Sequence, residues 1–292
     1  MGLTPKIKER VMSRTVYVNG EFLPEEAAKI SVFDRGFLFA DAVYEVTAVV
    51  NGKLVDFNGH YARLVRSCTE LGLTLRLDEH ALRDIHQRLI VENALQEGGI
   101  YLQLTRGNGG DRDFHYPPAD TPPTLVLFTQ ARAVVDHPAA SKGIRVVTCP
   151  DIRWQRRDIK TVQLLAPCMA KAFAEAQGAD DAFLVENGYI TEGSSCNCYI
   201  VQADNTVVTR PLSNSILHGI TRKALVRLAE EHGVTIEERL FTPEEARNAR
   251  EVFISSATTF VWPVIAVDGQ TIGDGKPGPV TLLLRKIYLQ ML

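Results

Sequence analysis

The Asn-Gly dipeptides Asn19-Gly20, Asn51-Gly52 and Asn187-Gly188 limit the folds open to this chain more than any other feature. A two-residue hairpin turn needs positive φ at both central positions, which asparagine and glycine tolerate best. Each pair therefore marks a place where one strand turns back on another. The third is the clearest. Ala182-Phe183-Leu184-Val185 leads into the turn Glu186-Asn187-Gly188-Tyr189, and the return strand from Ile190 is expected to continue into Cys198-Tyr199-Ile200-Val201.

Helical stretches interleave with these hairpins. Gly59 to Leu71 and Asp78 to Leu95 carry helical periodicity, whereas Ile100 to Thr105 and Thr124 to Thr129 read as strands. Ala131 to Lys142 is polar and contains proline, which suits a linker. Beyond it the mixture repeats, from the extended run Gly143 to Pro150 to a last helix from about Pro279. The expectation is an α+β protein. Residues 15–130 form a small N-terminal α/β domain, 131–142 an interdomain linker and 143–292 a larger C-terminal domain. The 292-residue length suits two domains or one large one. Residues 1–14 are expected to be a disordered leader, with Met12 as an alternative start.

Composition excludes several classes. A formal charge of −3 gives no basic field for nucleic acid or an anionic membrane. Met1 to Met12 lacks an apolar run of signal-peptide length. The five cysteines lack Cys-x-x-Cys spacing and the seven histidines do not cluster, so neither a disulfide framework nor a metal site is expected. Cys196 and Cys198, two apart on a strand, rarely bridge. A reducing cytoplasm fits this pattern.

Chemistry concentrates in Arg156-Arg157-Asp158-Ile159-Lys160 and Thr191-Glu192-Gly193-Ser194-Ser195. A partly desolvated lysine is a nucleophile, and a carboxylate can hold a ring nitrogen protonated; a pyridoxal phosphate (PLP) enzyme asks both of its protein. Lys160 falls between an extended run and the apolar segment Val162 to Ala176, read as a helix. Around Glu192, the residues Gly193, Ser194, Ser195 and Asn197 are small or polar and suit close approach to a ligand.

PLP also needs an anion cradle. His218-Gly219-Ile220-Thr221-Arg222 opens a periodic helix whose free N–H groups favour a phosphate. Ser255 to Thr259 offers hydroxyls where a strand ends, and Arg63 lies on a helix that Asn58 is expected to cap.

In this order, together with Phe33 to Val46 and His60-Tyr61-Ala62-Arg63-Leu64, these segments resemble the fold-type IV (class IV) PLP aminotransferases from about Val16 to Leu289. The resemblance implies a C-terminal domain of barrel-like sheets with PLP at the domain interface. Lys160 would hold PLP as an aldimine and carry the proton, with Glu192 on the pyridine nitrogen. Arg63, Ile220, Thr221, Ser256 and Ala257 would bind the phosphate, Ser195 would lie near it, and Leu217 would support the ring.

Within that family the pattern is most like D-amino-acid transaminase, which implies ping-pong transfer from a D-amino acid to a 2-oxo acid such as 2-oxoglutarate or pyruvate. Tyr44 in Val43-Tyr44-Glu45-Val46 matches a substrate-carboxylate residue, and Arg112 matches an arginine lent by the partner of a homodimer. The accompanying histidine does not match. Phe114 takes its place, His115 is displaced by one, and the loop is one residue longer before Arg112. Branched-chain L-amino-acid aminotransferase, (R)-selective amine transaminase, aminodeoxychorismate lyase and a catalytically silent PLP-binding protein stand as alternatives.

Overall fold

A computed structural model describes residues 13–292. The expected leader lies outside the described residues except for Ser13 and Arg14, and Arg14 is tied down. It pairs with Glu25 at 2.6 Å and donates to the Thr129 carbonyl at 2.9 Å.

The N-terminal part contains β1 (Thr15–Val18), β2 (Glu21–Pro24), α1 (Arg35–Phe39), β3 (Ala42–Val50), β4 (Lys53–Leu54), α2 (Phe57–Leu71), α3 (Glu79–Glu92), β5 (Glu97–Thr105) and β6 (Thr124–Ala131). Its strands form an antiparallel six-stranded sheet in the order β2-β1-β6-β5-β3-β4. Side chains alternate across this sheet. Val43, Val49, Ile100, Leu102 and Leu104 join Leu64, Leu82 and Leu89 of α2 and α3 in one core, where each buried leucine contributes about 2 kcal/mol. The intervening residues, including Tyr44 and Val46, face the other way. That second face is the one the functional cavity uses.

The Asn-Gly turns form as their φ requirement dictates. Asn19 and Gly20 have φ of 49° and 105°, Asn51 and Gly52 of 51° and 71°, and Asn187 and Gly188 of 53° and 82°. The helix carrying Arg63 begins earlier than expected. Asp56 at φ 51° precedes its first turn, and the carboxylate accepts from the Tyr288 hydroxyl at 2.7 Å rather than capping. Asn58 is no cap; its side-chain oxygen accepts from Arg83.

The stretch expected as a linker is no loose tether. It contains α4 (Pro138–Lys142), and Val134 is fully buried. Glu97 accepts from the Val134 and Val135 N–H groups at 2.6 Å, while Arg285 donates to the Val135 carbonyl. Buried backbone polar groups need partners, and the two halves supply them from opposite sides.

The C-terminal part contains β7 (Ile144–Pro150), α5 (Leu165–Ala176), β8 (Asp181–Glu186), β9 (Tyr189–Gly193), β10 (Asn197–Val201), β11 (Val207–Thr209), α6 (Ile220–Glu231), β12 (Ile236–Glu238), α7 (Pro243–Asn248), β13 (Glu251–Ser256), β14 (Phe260–Val267), β15 (Gln270–Thr271) and α8 (Pro279–Gln290). Its nine-stranded mixed sheet runs β12-β11-β10-β13-β14-β7-β8-β9, with β15 on β14. The return strand of the third hairpin does not continue into Cys198. It stops at Gly193, where the Ser194 side chain bonds Asp181 at 2.6 Å and the chain turns. β10 then pairs with β11 and β13. The sheet curls, and the Gly193 N–H donates to the Cys196 carbonyl at 2.8 Å within the turn that leads into β10. This curl gives the barrel-like form.

Candidate active site

A cavity of about 490 Å³ opens between the free face of the small sheet and the curled sheet. Lys160 enters it from the connection between β7 and α5. That connection is fixed on both sides of the lysine. Asp158, fully buried, is gripped by Arg66 of α2 at 2.5 Å and by Arg156 at 3.0 Å. The Lys160 carbonyl accepts from the Tyr44 N–H at 3.0 Å, and Thr161 bridges to Val43. The Nζ lies 4.1 Å from the centre of the Tyr44 ring. The backbone beneath the amine is thus rigid, and a flat aromatic face lies beside it.

Glu192 enters from β9 and is 3% exposed. Arg153 donates to its Oε1 at 2.5 Å, the Leu217 N–H donates to both oxygens at 3.2 and 3.1 Å, and Asn197 Nδ2 reaches Oε2 at 3.3 Å. Burial pushes the Glu192 carboxyl upward, and Arg153 with the Leu217 N–H works against that push. Arg153 is held in turn by Asp151 at 2.7 Å, and Asp151 accepts from the Thr191 hydroxyl at 2.7 Å. The carboxylate is therefore oriented by a chain of partners from several segments.

Arg63 is held as firmly. Its Nε and Nη2 each donate to Glu45 at 2.7 Å, and its Nη1 donates to the His218 carbonyl at 3.0 Å. His60 lies 2.8 Å from the same carboxylate. Burial opposes the charge on Glu45, but the Arg63 guanidinium outweighs it and holds the carboxyl well below the usual range. Remaining N–H bonds of the guanidinium are left for a ligand.

Ile220 and Thr221 begin α6, whose N-cap is Gly219 with no side-chain cap. A Cβ at Gly219 would meet Asn197 Oδ1 at 2.1 Å, so only glycine fits here. The first N–H groups of the helix stay open to the cavity, which Ser256 and Ala257, at the end of β13 and just after it, also line. A cation, open helix N–H groups and a hydroxyl at one cavity, with a lysine and a buried carboxylate, are the donor set PLP needs. The residues present fit that cofactor.

Of the residues expected from sequence, Lys160, Glu192, Arg63, Ser195, Leu217, Ile220, Thr221, Ser256, Ala257 and Tyr44 all line this cavity. Arg112, Phe114 and His115 do not. They lie on the loop after β5, where Arg112 stacks over Phe39 and Phe114 at 5.1 and 4.9 Å and Phe114 is 76% exposed. Sequence reading missed Arg153, Asp151, Glu45 and His60. A glutamate in the strand, with histidine and arginine three apart on the next helix, was the available signal for the last two. Among the described residues no cluster suits a metal ion.

The family model described as amino-transferase class IV matches residues 42–267. The D-alanine aminotransferase of Staphylococcus aureus (strain MW2) is 39% identical over 272 residues, covering 93% of this chain and 95% of the relative. That of Bacillus licheniformis is 38% identical, covering 91% and 93%. The fold is similar to that of a branched-chain amino acid aminotransferase from Escherichia coli, at TM-score 0.85 and 25% identity, covering 96% of this chain and 94% of that one. The family match spans residues 42–267, and relatives 38–39% identical cover more than nine-tenths of the chain, so the chain belongs to the class IV aminotransferases.

Proposed function

We propose that this protein is a PLP-dependent transaminase of D-amino acids that passes the amino group to a 2-oxo acid by ping-pong kinetics. The observation that carries the reading is the joint placement of Lys160, Glu192, Arg63 and Tyr44 on one cavity. The relatives named for D-alanine amino transfer support the choice of enantiomer.

PLP supplies an electron sink for the substrate's α-carbon. The protein does the rest. Lys160 Nζ would take the proton from the substrate α-carbon and deliver it to the cofactor, on a backbone pinned by Asp158 and Tyr44. Glu192 would accept from the ring nitrogen and keep it protonated, with Arg153 and the Leu217 N–H fixing the orientation of the carboxylate. Arg63, the α6 N–H groups and Ser256 would hold the phosphate and so fix the position of the ring. Tyr44 faces the amine and takes part in holding the substrate carboxylate.

Arg112 lies outside the cavity of its own chain, which supports a homodimer in which each loop completes its neighbour's site. The exposed Phe114 that Arg112 stacks on, and Tyr116 on the same loop, suit such a contact. Five free cysteines suit a reducing cytoplasm.

The test is a panel of D- and L-amino acids and (R)-amines offered to the holoenzyme with pyruvate or 2-oxoglutarate, following the spectrum of the bound cofactor. D-alanine and D-glutamate should convert it, and branched-chain L-amino acids should not. Conversion by L-leucine but not D-alanine would overturn the reading, as would pyruvate release from aminodeoxychorismate without any acceptor.

A further inference from the structure

The phosphate donors come from three segments far apart in the chain: Arg63 from α2, Ile220 and Thr221 from the opening of α6, and Ser256 and Ala257 from the end of β13 and the turn after it. An anion bound by all three needs them fixed relative to one another. Behind the cavity, one side chain reaches all three. Tyr288 of α8 is 1% exposed, does not itself line the cavity, and shares a core with Ala224 and Leu225 of α6 and with Phe260.

Its hydroxyl donates to Asp56 Oδ2 at 2.7 Å. Asp56 stands at φ 51° before the first turn of α2, and its carbonyl accepts from the His60 N–H at 3.2 Å. His60 in turn meets the Glu45 carboxylate that grips Arg63. The Thr221 hydroxyl lies within reach of the same phenol oxygen. The starts of α2 and α6 are in close contact here, for a Cβ at Gly59 would lie 2.8 Å from Ile220 Cγ2.

The ring of Tyr288 packs on Phe260, with centroids 5.1 Å apart. Phe260 closes the turn after β13. It is fully buried at φ 55°, a backbone conformation that a bulky side chain holds only where its surroundings impose it. Arg285, three residues before Tyr288 on α8, adds to that constraint by donating to the carbonyls on either side of Phe260, Thr259 at 3.0 Å and Val261 at 2.8 Å. Within the turn, the hydroxyls of Ser256 and Thr259 lie 2.8 Å apart.

We propose that Tyr288 is a positioning residue for the cofactor phosphate: its hydroxyl and ring brace the start of α2, the opening of α6 and the turn after β13 so that their donors converge on one anion. This rests on the phosphate standing at Arg63, Thr221 and Ser256, and it adds a residue that touches neither cofactor nor substrate.

The experiment measures, by equilibrium dialysis of the full chain, the retention of PLP and of pyridoxal, which lacks the phosphate. Tyr288→Phe keeps the ring and loses the bond to Asp56, so it should weaken PLP about three- to tenfold while moving pyridoxal by no more than about twofold. Asp56→Asn keeps an acceptor on a side chain that tolerates positive φ, and should stay near the parent. Asp56→Gly keeps the backbone without the acceptor and should match Tyr288→Phe, and the Tyr288→Phe/Asp56→Gly double variant should lose no more than either alone. Equal weakening of PLP and pyridoxal in Tyr288→Phe would make Tyr288 a general support of the fold, and unchanged PLP retention would detach it from the cradle; either result overturns the assignment. Arg63→Ala separates the two levels: its failure to weaken PLP would show the phosphate site itself to be misplaced, whereas a loss in Arg63→Ala with none in Tyr288→Phe confines the failure to the brace.

Discussion

Two regions of the molecule are held by opposite means. Around Lys160, the carboxylates and arginines that hold the site, Glu192 and Arg63 among them, are answered by partners from other segments, so the chemistry rests on a preorganised frame. On the Arg112 loop, by contrast, the His115 ring bonds its near neighbour Asp113, and Phe114 touches Phe39 and Arg112 with most of its surface exposed. The difference teaches that a frame of interlocked side chains resists change, whereas an exposed loop can vary without disturbing it.

The sharpest way to break that contrast is Lys160→Ala, which should abolish turnover and the visible band of the bound cofactor while leaving the fold intact. Borohydride reduction followed by peptide mapping checks the site; a label on another lysine would remove Lys160 from its role. Next in size, Glu192→Gln should retain the cofactor yet slow the half-reaction by about three orders of magnitude in single-turnover kinetics, because a neutral amide no longer favours a protonated ring nitrogen. Near-normal rate constants would show that another acid serves.

Smaller effects are expected where one donor among several is removed. Arg63→Ala, and Glu45→Gln acting through Arg63, should weaken cofactor retention by about 1 to 3 kcal/mol, measured as PLP dissociation by equilibrium dialysis. Unchanged retention in both would detach the Glu45–Arg63 pair from the phosphate. On the exposed loop, Arg112→Ala should raise KM for D-alanine about tenfold and leave an (R)-amine without a carboxylate nearly unchanged. Equal losses on both would mean that the loop shapes the site rather than binding the carboxylate. Smallest of all, Phe114→His should improve acidic D-substrates by about twofold to fivefold if the displaced histidine leaves the trap incomplete; no gain would show that the loop compensates by other means.

Much of this was legible from local pattern. The hairpin turns follow from the φ demands of Asn-Gly, and the opening of α6 follows from an uncapped glycine before an apolar periodicity. What escaped depends on distant pairing. Arg153 is one charge among several in a loop until the fold sets it against Glu192, 39 positions away. Glu45 looks like an error in a strand until α2 brings His60 and Arg63 over it. The break after Gly193 was hidden because small polar residues fit a strand and a turn alike, and the bonds of Gly193 to Cys196 and of Ser194 to Asp181 decide for the turn. Val134 could not be read as core because its backbone is satisfied by Glu97 and Arg285, which are far from each other in the chain.

Helix α2 belongs to the small sheet, yet Arg63 reaches the His218 carbonyl and Arg66 reaches Asp158, both in the other half of the molecule. The cofactor's phosphate would sit against the same helix. Ligand affinity and the docking of the two halves are then a single linked equilibrium: whatever tightens one must tighten the other by an equal free energy. A melting temperature that climbs with free PLP is the signature of that reciprocity, and it makes the vitamin a keystone of the architecture as well as a reagent.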